Sequence, residues 1–315
     1  MDTNFYLIAV GILATIALMD LIVGVSNDAV NFLNSSFGAR VASRRTILFV
    51  ASLGILAGVF FSSGMMEVAR KGIFHPQFFT MPELLTLFLG VMIADILILD
   101  LFNTYGLPTS TTVSIVFELL GAAVALSVLK IIDSGDSLLT LEQYINTAKA
   151  LTIIGGILLS VVVAFSFGAL VQFFGRLLFS FDYESYLPRY GGLWGGLSFG
   201  AILLFILIKG AKGASFIPTD VASYIKANIF LLFFASFIVS ALFFQLLTSL
   251  FRLNVLKPIV LIGTFSLALA FAANDLVNFI GVPLAGFHSY SLALSTSDPA
   301  GALMSGLAGK VPSST

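Results

Sequence analysis

Two near-identical polar stretches interrupt otherwise apolar sequence. NDAVNF at 27–32 returns as NDLVNF at 274–279, with five identities in six positions. Helical spacing places Asn27 and Asn31 on one face with Asp28 beside them, and their side-chain oxygens are hard ligands suited to Na⁺. The two copies therefore predict cation ligands at Asn27, Asp28, Asn31, Asn274, Asp275 and Asn278.

The alternative for each copy is a helix cap, because Asn and Asp often begin a helix by accepting backbone N–H bonds. One copy alone fits either hypothesis, whereas two copies on antiparallel helices favour the cations. An aspartate inside a membrane costs on the order of 3 kcal/mol, so Asp28 and Asp275 need a cation, a proton or a polar cavity. We expect Gly24 and Ser26 to let the first helix unwind and offer carbonyl ligands.

A run of hydroxyl side chains forms the second candidate site, in YGLPTSTTVSIV at 105–116. Gly106 and Pro108 break the chain, and four hydroxyls then open an apolar helix. A helix N-terminus presents free N–H donors and a positive dipole end, so a tetrahedral oxyanion fits there, although an ordinary Ser/Thr cap is the alternative. Without an adjacent Lys or Arg, co-bound cations must balance the anion. The predicted oxyanion ligands are Thr109, Ser110, Thr111 and Thr112.

Four further acidic residues lie in or beside apolar sequence. Glu67 precedes two basic residues at a helix end, where an interfacial ion pair is the alternative to a role in transport. Glu118 lies well inside an apolar helix, where a carboxylate is costly unless it is protonated or faces a cavity. Glu67 and Glu118 are therefore candidates for coupling or gating, and Asp95 and Asp100 rank below Asp28 and Asp275.

The elements that carry these residues are membrane helices. Of the residues, 58% are hydrophobic and 10% charged, and the mean hydropathy is +1.06. Apolar runs of about 20 residues match a bilayer, and they lack the alternation of barrel strands. A net charge of −1 with scattered basic residues argues against a nucleic-acid partner, and zero cysteines exclude disulfides and thiolate metal sites.

Eight long apolar segments are predicted, and polar or Pro/Gly-containing breaks separate them. Gly192, Gly196 and Gly200 recur every four residues and predict a smooth face against which another helix packs. The segments lie at about 5–26, 46–69, 83–103, 113–129, 148–179, 192–209, 222–250 and 256–280.

The repeat predicts an inverted topology, because the number of crossings between the two copies makes their helices antiparallel. Secondary transporters use such repeats, with broken helices and a re-entrant hairpin, to build one site that opens to either side. The predicted division is a first repeat at 1–130, intervening helices at 131–255 and the start of a second repeat at 256–315. The fold class is thus an all-α polytopic membrane protein.

Basic residues suggest the orientation. Arg40, Arg44 and Arg45 form the densest basic cluster, and the positive-inside rule places it in the cytoplasm. The N-terminus is then extracytoplasmic, in a multi-pass protein of the cell membrane.

These motifs resemble the PiT family of inorganic phosphate transporters, whose members carry two inverted G-A-N-D-V-A-N-x-x-G signatures and an L-P-x-S-x-T-H tip. The matching stretches are GVSNDAVNFLNSSFG, FAANDLVNFIGVPLAG and LPTSTTV, and MEVARKGI at 66–73 resembles the family's segment after its second helix. The resemblance implies symport of phosphate with cations, which the N-D-x-x-N residues hold while the hydroxyl tips hold phosphate.

The chain departs from the family pattern at two places. Val113 stands where the family has histidine, which puts any role of that histidine in doubt. After the second signature the family has another hydroxyl tip, whereas here the segment 288–315 has no further apolar span. The pattern predicts a fragment of a longer transporter, or a partner half from another chain, and a tail that is unpacked or extended.

Together the motifs predict a secondary active transporter that imports inorganic phosphate with Na⁺ or H⁺. The main alternative is a symporter of sulfate or another oxyanion, and an ion channel is a more distant one. No nucleophile–base pair or His/carboxylate metal motif indicates an enzyme, and no cofactor beyond the coupling ion is expected. The expected partners are phosphate and membrane lipid, with a homodimer as a further hypothesis and no nucleic acid.

Overall fold

The computed structural model describes residues 3–60, 72–213, 218–251 and 253–308. Nearly all of these residues are helical, and the β structure among them is limited to two isolated bridges. The α-helices are α1 Thr3–Gly38, α2 Arg44–Val59, α3 Met81–Thr104, α4 Thr111–Ser134, α5 Leu141–Tyr144, α6 Thr147–Phe179, α7 Tyr183–Gly213, α8 Thr219–Ala227, α9 Ile229–Phe251, α10 Leu256–Asn274 and α11 Leu276–Leu294.

Seven helical stretches of the described chain are long and apolar enough to cross a membrane. No residue of the most apolar window of α6 is buried in the protein, as expected for side chains that face lipid. The protein is therefore a multi-pass membrane protein. The stretches are Asn4–Gly38, Met81–Thr104, Thr111–Ser134, Thr147–Phe179, Tyr183–Ile208, Ile229–Phe251 and Leu256–Leu294.

The chain divides into two compact units, and both are discontinuous in sequence. The first unit comprises Met1–Val30, Ser63–Ile157 and Asn274–Thr315, and the second comprises Asn31–Ser62 and Leu158–Ala273. The predicted division into two repeats and intervening helices is a statement about symmetry, and it stays a prediction.

The first unit is built around the hairpin of α3 and α4, against which α11 packs. Backbone N–H of Thr80 donates to Glu83 Oε2 at 2.7 Å, which satisfies a donor where α3 begins. Glu83 also pairs with Lys130 near the end of α4, at 2.9 Å. Gly106 adopts φ +66° in the turn between the helices, a conformation that favours glycine.

The second unit confirms the predicted helix-packing face. A Cβ on Gly196 would lie 2.5 Å from Cβ of Ala241, and one on Gly200 would lie 3.1 Å from Cα of Phe237. Gly192 meets Gln245 in the same way. Since Ala241, Phe237 and Gln245 all lie on α9, the absence of side chains on this face of α7 lets the two backbones approach closely.

The two NDxVNF copies differ in whether their helix is broken. The expected unwinding at Gly24 and Ser26 is wrong, because α1 runs unbroken from Thr3 to Gly38. At the second copy the helix does break: α10 ends at Asn274, and Asp275 separates it from α11.

The segment after the second signature packs, contrary to expectation. The helix α11 continues to Leu294, and Met304 N–H then donates to the carbonyl of Phe79 at 2.9 Å. Met304 and Leu307 are buried. The expected unpacked tail is therefore wrong over 288–308, because scattered large apolar side chains suffice to anchor a segment that does not span the membrane.

Candidate functional site

The hydroxyl of Thr112 joins the tip of the α3–α4 hairpin to the second NDxVNF copy. Thr112 Oγ1 donates to Asp275 Oδ1 at 2.5 Å and accepts from Asn278 Nδ2 at 3.1 Å. The break between α10 and α11 exposes the Asp275 carboxylate to this contact. Oδ1 of Asn278 is buried and has no hydrogen-bond partner among the described residues, so one hard oxygen ligand is unused.

The first NDxVNF copy holds the other side of the same tip through a buried asparagine. Asn27 Nδ2 donates to Asn103 Oδ1 at 2.8 Å and to the Leu107 carbonyl at 3.2 Å, and Asn27 Oδ1 accepts from Thr109 N–H at 2.9 Å. Asn103 Nδ2 donates in turn to the Val23 carbonyl at 3.0 Å. The turn between α3 and α4 thus lies beside Asn27 of α1, and the re-entrant course of the hairpin stays a prediction.

Asp28 lies on α1 next to Asn27 and faces the hydroxyl of Thr111. Its side chain is 5% exposed, and Thr111 Oγ1 donates to Asp28 Oδ2 at 3.5 Å, a long contact. The charge of Asp275 acts on Asp28. Repulsion between two carboxylates in a poorly hydrated setting disfavours the ionisation of both, and positive charge between them relieves this repulsion.

The remaining tip residues act through the helix terminus. Ser110 caps α4: its Oγ accepts from Val113 N–H at 3.3 Å, and the residue itself is exposed. Val113, at the family's histidine position, is half-buried in the first turn. The first turn of α4 therefore presents N–H groups and hydroxyls toward the aspartates.

Not every predicted site residue joins this cluster. Asn31 and Asn274 are both exposed. Glu118 lies further along α4, where Asp95 acts on it electrostatically. Glu67 lies outside the described residues.

Two residues of this region were not among the site residues that the sequence predicted. Asn103 holds the Asn27 amide, and Asp20, which nothing marked out, is fully buried next to Asp95. Spacing could have found both: Asp20 precedes Asp28 by eight residues and Asp95 precedes Asn103 by eight, which puts each pair on one helix face.

Known proteins match most of this chain. The model of the "Phosphate transporter family" matches residues 24–309. Proteins named "Putative phosphate permease" are 27% identical in Pyrococcus furiosus and 29% in Thermococcus kodakarensis, over 85% and 84% of this chain and 62% and 63% of theirs. The chain thus spans less than two thirds of the length of these two relatives.

A solved structure shares the fold. The match is titled "The sodium-dependent phosphate transporter", with a TM-score of 0.65 and 19% identity over 95% of this chain and 72% of that one. At this identity the likeness shows the fold alone.

Proposed function

The chain belongs to the phosphate transporter family, and from that premise we propose that it imports inorganic phosphate by symport with Na⁺, or with H⁺ in its place. The observation that carries the proposal is that the hydroxyl tip reaches both aspartates: Thr111 contacts Asp28, and Thr112 contacts Asp275. Anion donors and cation ligands from three distant parts of the sequence are thereby brought together in the first unit.

The cations are held by oxygens of the two NDxVNF copies. Asp28 and Asp275 supply charge, and Asn278 supplies the buried oxygen that has no donor among the described residues. Carboxylate and amide oxygens are the ligands that hard cations take. Asn27 already uses its amide to hold the hairpin, so its share in coordination is smaller. Asn31 and Asn274 stay predicted cation ligands, and because both are exposed we expect them to contribute less than Asn278.

The phosphate is held at the N-terminus of α4. Thr111 and Thr112 offer hydroxyls, and the first turn offers backbone N–H groups, which together suit a tetrahedral oxyanion. Ser110 contributes less through its side chain, because it caps the helix and is exposed, and Thr109 uses its backbone N–H to hold Asn27. A phosphate anion between two aspartates would be repelled unless cations bind with it, and this electrostatic requirement couples the two fluxes.

The direction of transport rests on orientation. The cluster of Arg40, Arg44 and Arg45 favours a cytoplasmic loop between α1 and α2, which puts the N-terminus outside. This orientation, the cell membrane as location and a homodimer as assembly are all part of the proposal.

Uptake of labelled phosphate into proteoliposomes tests the function directly. Vesicles with an inward Na⁺ gradient should accumulate phosphate several-fold over vesicles without one, and an inward H⁺ gradient in Na⁺-free buffer tests the other ion. Unlabelled sulfate is added as a competitor. Sulfate that competes as well as unlabelled phosphate would mean that the site takes oxyanions without preferring phosphate, and uptake that is independent of both gradients would refute symport.

A further inference from the structure

Three carboxyl groups outside the candidate site are buried together in the first unit. Asp20 on α1 and Asp95 on α3 are 0% exposed, and Glu118 on α4 is half-buried. The charges of Asp95 and Glu118 act on Asp20, and that of Asp95 acts on Glu118. We call Asp20, Asp95 and Glu118 the acidic triad.

Most oxygens of the acidic triad have no donor. Both oxygens of Asp20, both of Asp95 and Oε2 of Glu118 are buried without a hydrogen-bond partner among the described residues. Glu118 Oε1 is the exception, since it accepts from Ser114 Oγ at 2.6 Å. Desolvated carboxylates without donors are among the costliest groups that a protein can bury.

The three carboxyls also lie close to one another, which disfavours the ionisation of all three together. Asp95 is within hydrogen-bonding reach of Asp20 and of Glu118. Two carboxylates are both acceptors and cannot make that contact, whereas a carboxyl that carries a proton can donate to its neighbour. Shared protons therefore account for the contact and for the missing donors at the same time.

Among the described residues, no positively charged side chain acts strongly on the acidic triad. The charge state of each triad carboxyl depends most on its burial, on the other members of the triad and on Ser114. Lys130 on α4 is engaged with Glu83, and the titratable residues of α11, which packs against α3 and α4, are His288 and Tyr290. The charge of Asp95 also acts on Asp28.

A metal ion fits the acidic triad less well than protons do. Within the described chain, no group of three or more His, Cys, Asp or Glu residues has the geometry of a metal site. We propose that the acidic triad is a proton-binding site, carried by α1, α3 and α4 and distinct from the Asp28–Asp275 site. Its part in transport rests on the proposed function, whereas proton binding itself does not.

The acidic triad lies about two helical turns from the candidate site along each helix. Asp20 precedes Asp28 by eight residues, and Asp95 precedes Asn103 by eight, which is about 12 Å at 1.5 Å per residue. Loss of a proton from the acidic triad makes the potential at Asp28 more negative. A cation at Asp28 therefore binds more tightly as the pH rises, and its binding favours proton release.

Infrared difference spectroscopy of the purified protein tests for the protons. The wild type at neutral pH, without Na⁺, should show a protonated-carboxyl band that shifts in D₂O. Asp95→Asn should lower the intensity of the band and shift its frequency, because Asp20 and Glu118 lose the carboxyl with which they share protons. Asp100→Asn, an exposed aspartate on the same helix, is the matched control and should leave it unchanged, and Asp28→Asn separates any contribution from the candidate site. Glu118→Gln keeps the acceptor for Ser114 and serves if Asp95→Asn does not fold.

A second readout follows the coupling. The apparent Kd for Na⁺ of the wild type should fall several-fold as the pH is raised, and that pH dependence should be weaker in Asp95→Asn or Glu118→Gln, where only Asp28 itself competes for protons. A folded wild type without the band, or a band of unchanged intensity and frequency in both triad variants, would overturn the proposal. Stoichiometric Na⁺ binding that survives in Asp28→Asn and is lost with the triad would also overturn it. If the protein takes up phosphate but shows no protonated-carboxyl band, only the proton-binding proposal fails. If it shows the band but takes up no phosphate, only the proposed transport function fails.

Discussion

Thr112 and Asp275 are 163 residues apart in sequence, yet the threonine hydroxyl donates to the aspartate at 2.5 Å. This bond links the first turn of α4 to the break between α10 and α11. A hydroxyl that holds a carboxylate in this way can turn toward an anion once a cation neutralises the carboxylate. The pair is therefore the point at which cation and phosphate binding meet in the proposed mechanism.

Removing the aspartate charges should remove cation coupling. Asp28→Asn and Asp275→Asn keep the shape of each side chain and delete its charge, so cation-dependent uptake should fall by at least about tenfold, the equivalent of about 1.4 kcal/mol. Proteoliposome uptake measures the effect, and thermal unfolding checks that the variants fold. Asp100→Asn should behave as the wild type. Normal uptake by both aspartate variants would refute the cation ligands.

Removing the tip hydroxyls should weaken phosphate binding. Thr111→Val and Thr112→Val together keep the volume and delete two donors, and if each charge-assisted bond contributes about 1.5 kcal/mol, the KM for phosphate should rise by about tenfold or more. Initial rates over a range of phosphate concentrations give the KM. Thr111→Ser with Thr112→Ser keeps both hydroxyls and should retain most of the affinity. Equal KM values in the two double variants would mean that the hydroxyls only cap the helix.

The two asparagines of the first copy should differ in importance. Asn27 makes hydrogen bonds to Asn103, Leu107 and Thr109, so Asn27→Ala leaves groups at the hairpin tip without partners and should cost about 1–3 kcal/mol. Asn31→Ala, one helical turn away at an exposed position, should change stability and uptake far less. Thermal unfolding in detergent compares the two variants. A larger loss for Asn31→Ala would reverse their assigned roles.

Close packing between the two signatures gives a prediction about stability. A Cβ on Gly24 would overlap the ring of the buried Phe279, so Gly24→Ala should destabilise the protein by about 1–3 kcal/mol. Gly11→Ala lies on the same helix with nothing within 4 Å and should be neutral or slightly stabilising. The double variant Gly24→Ala with Phe279→Leu should lose less than the sum of the single variants. Strict additivity of the melting shifts would contradict the contact.

Some features were readable from local sequence. Seven of the eight predicted apolar runs correspond to helices long enough to cross a membrane, whereas the run at 46–69 continues beyond the described residues. The recurring Gly192, Gly196 and Gly200 predicted the face of α7 that packs on α9. These succeed because bilayer thickness and helical periodicity act over short stretches of chain. The same locality explains two errors. The predicted run at 222–250 is split at Asn228, and the tail beyond 288 packs through Met304.

The sequence by itself determined that this is a helical membrane protein with two NDxVNF copies and a hydroxyl tip, and the motifs were enough to indicate its family. Tertiary structure decided which of those polar atoms meet. Helix packing places Thr112 in contact with Asp275 and uses Asn27 to hold the hairpin. It also leaves Asn31 exposed and buries Asp20 beside Asp95. The reason is physical: a residue's helix face follows from its spacing, whereas contacts between distant helices depend on how whole helices pack, which no short stretch of sequence encodes.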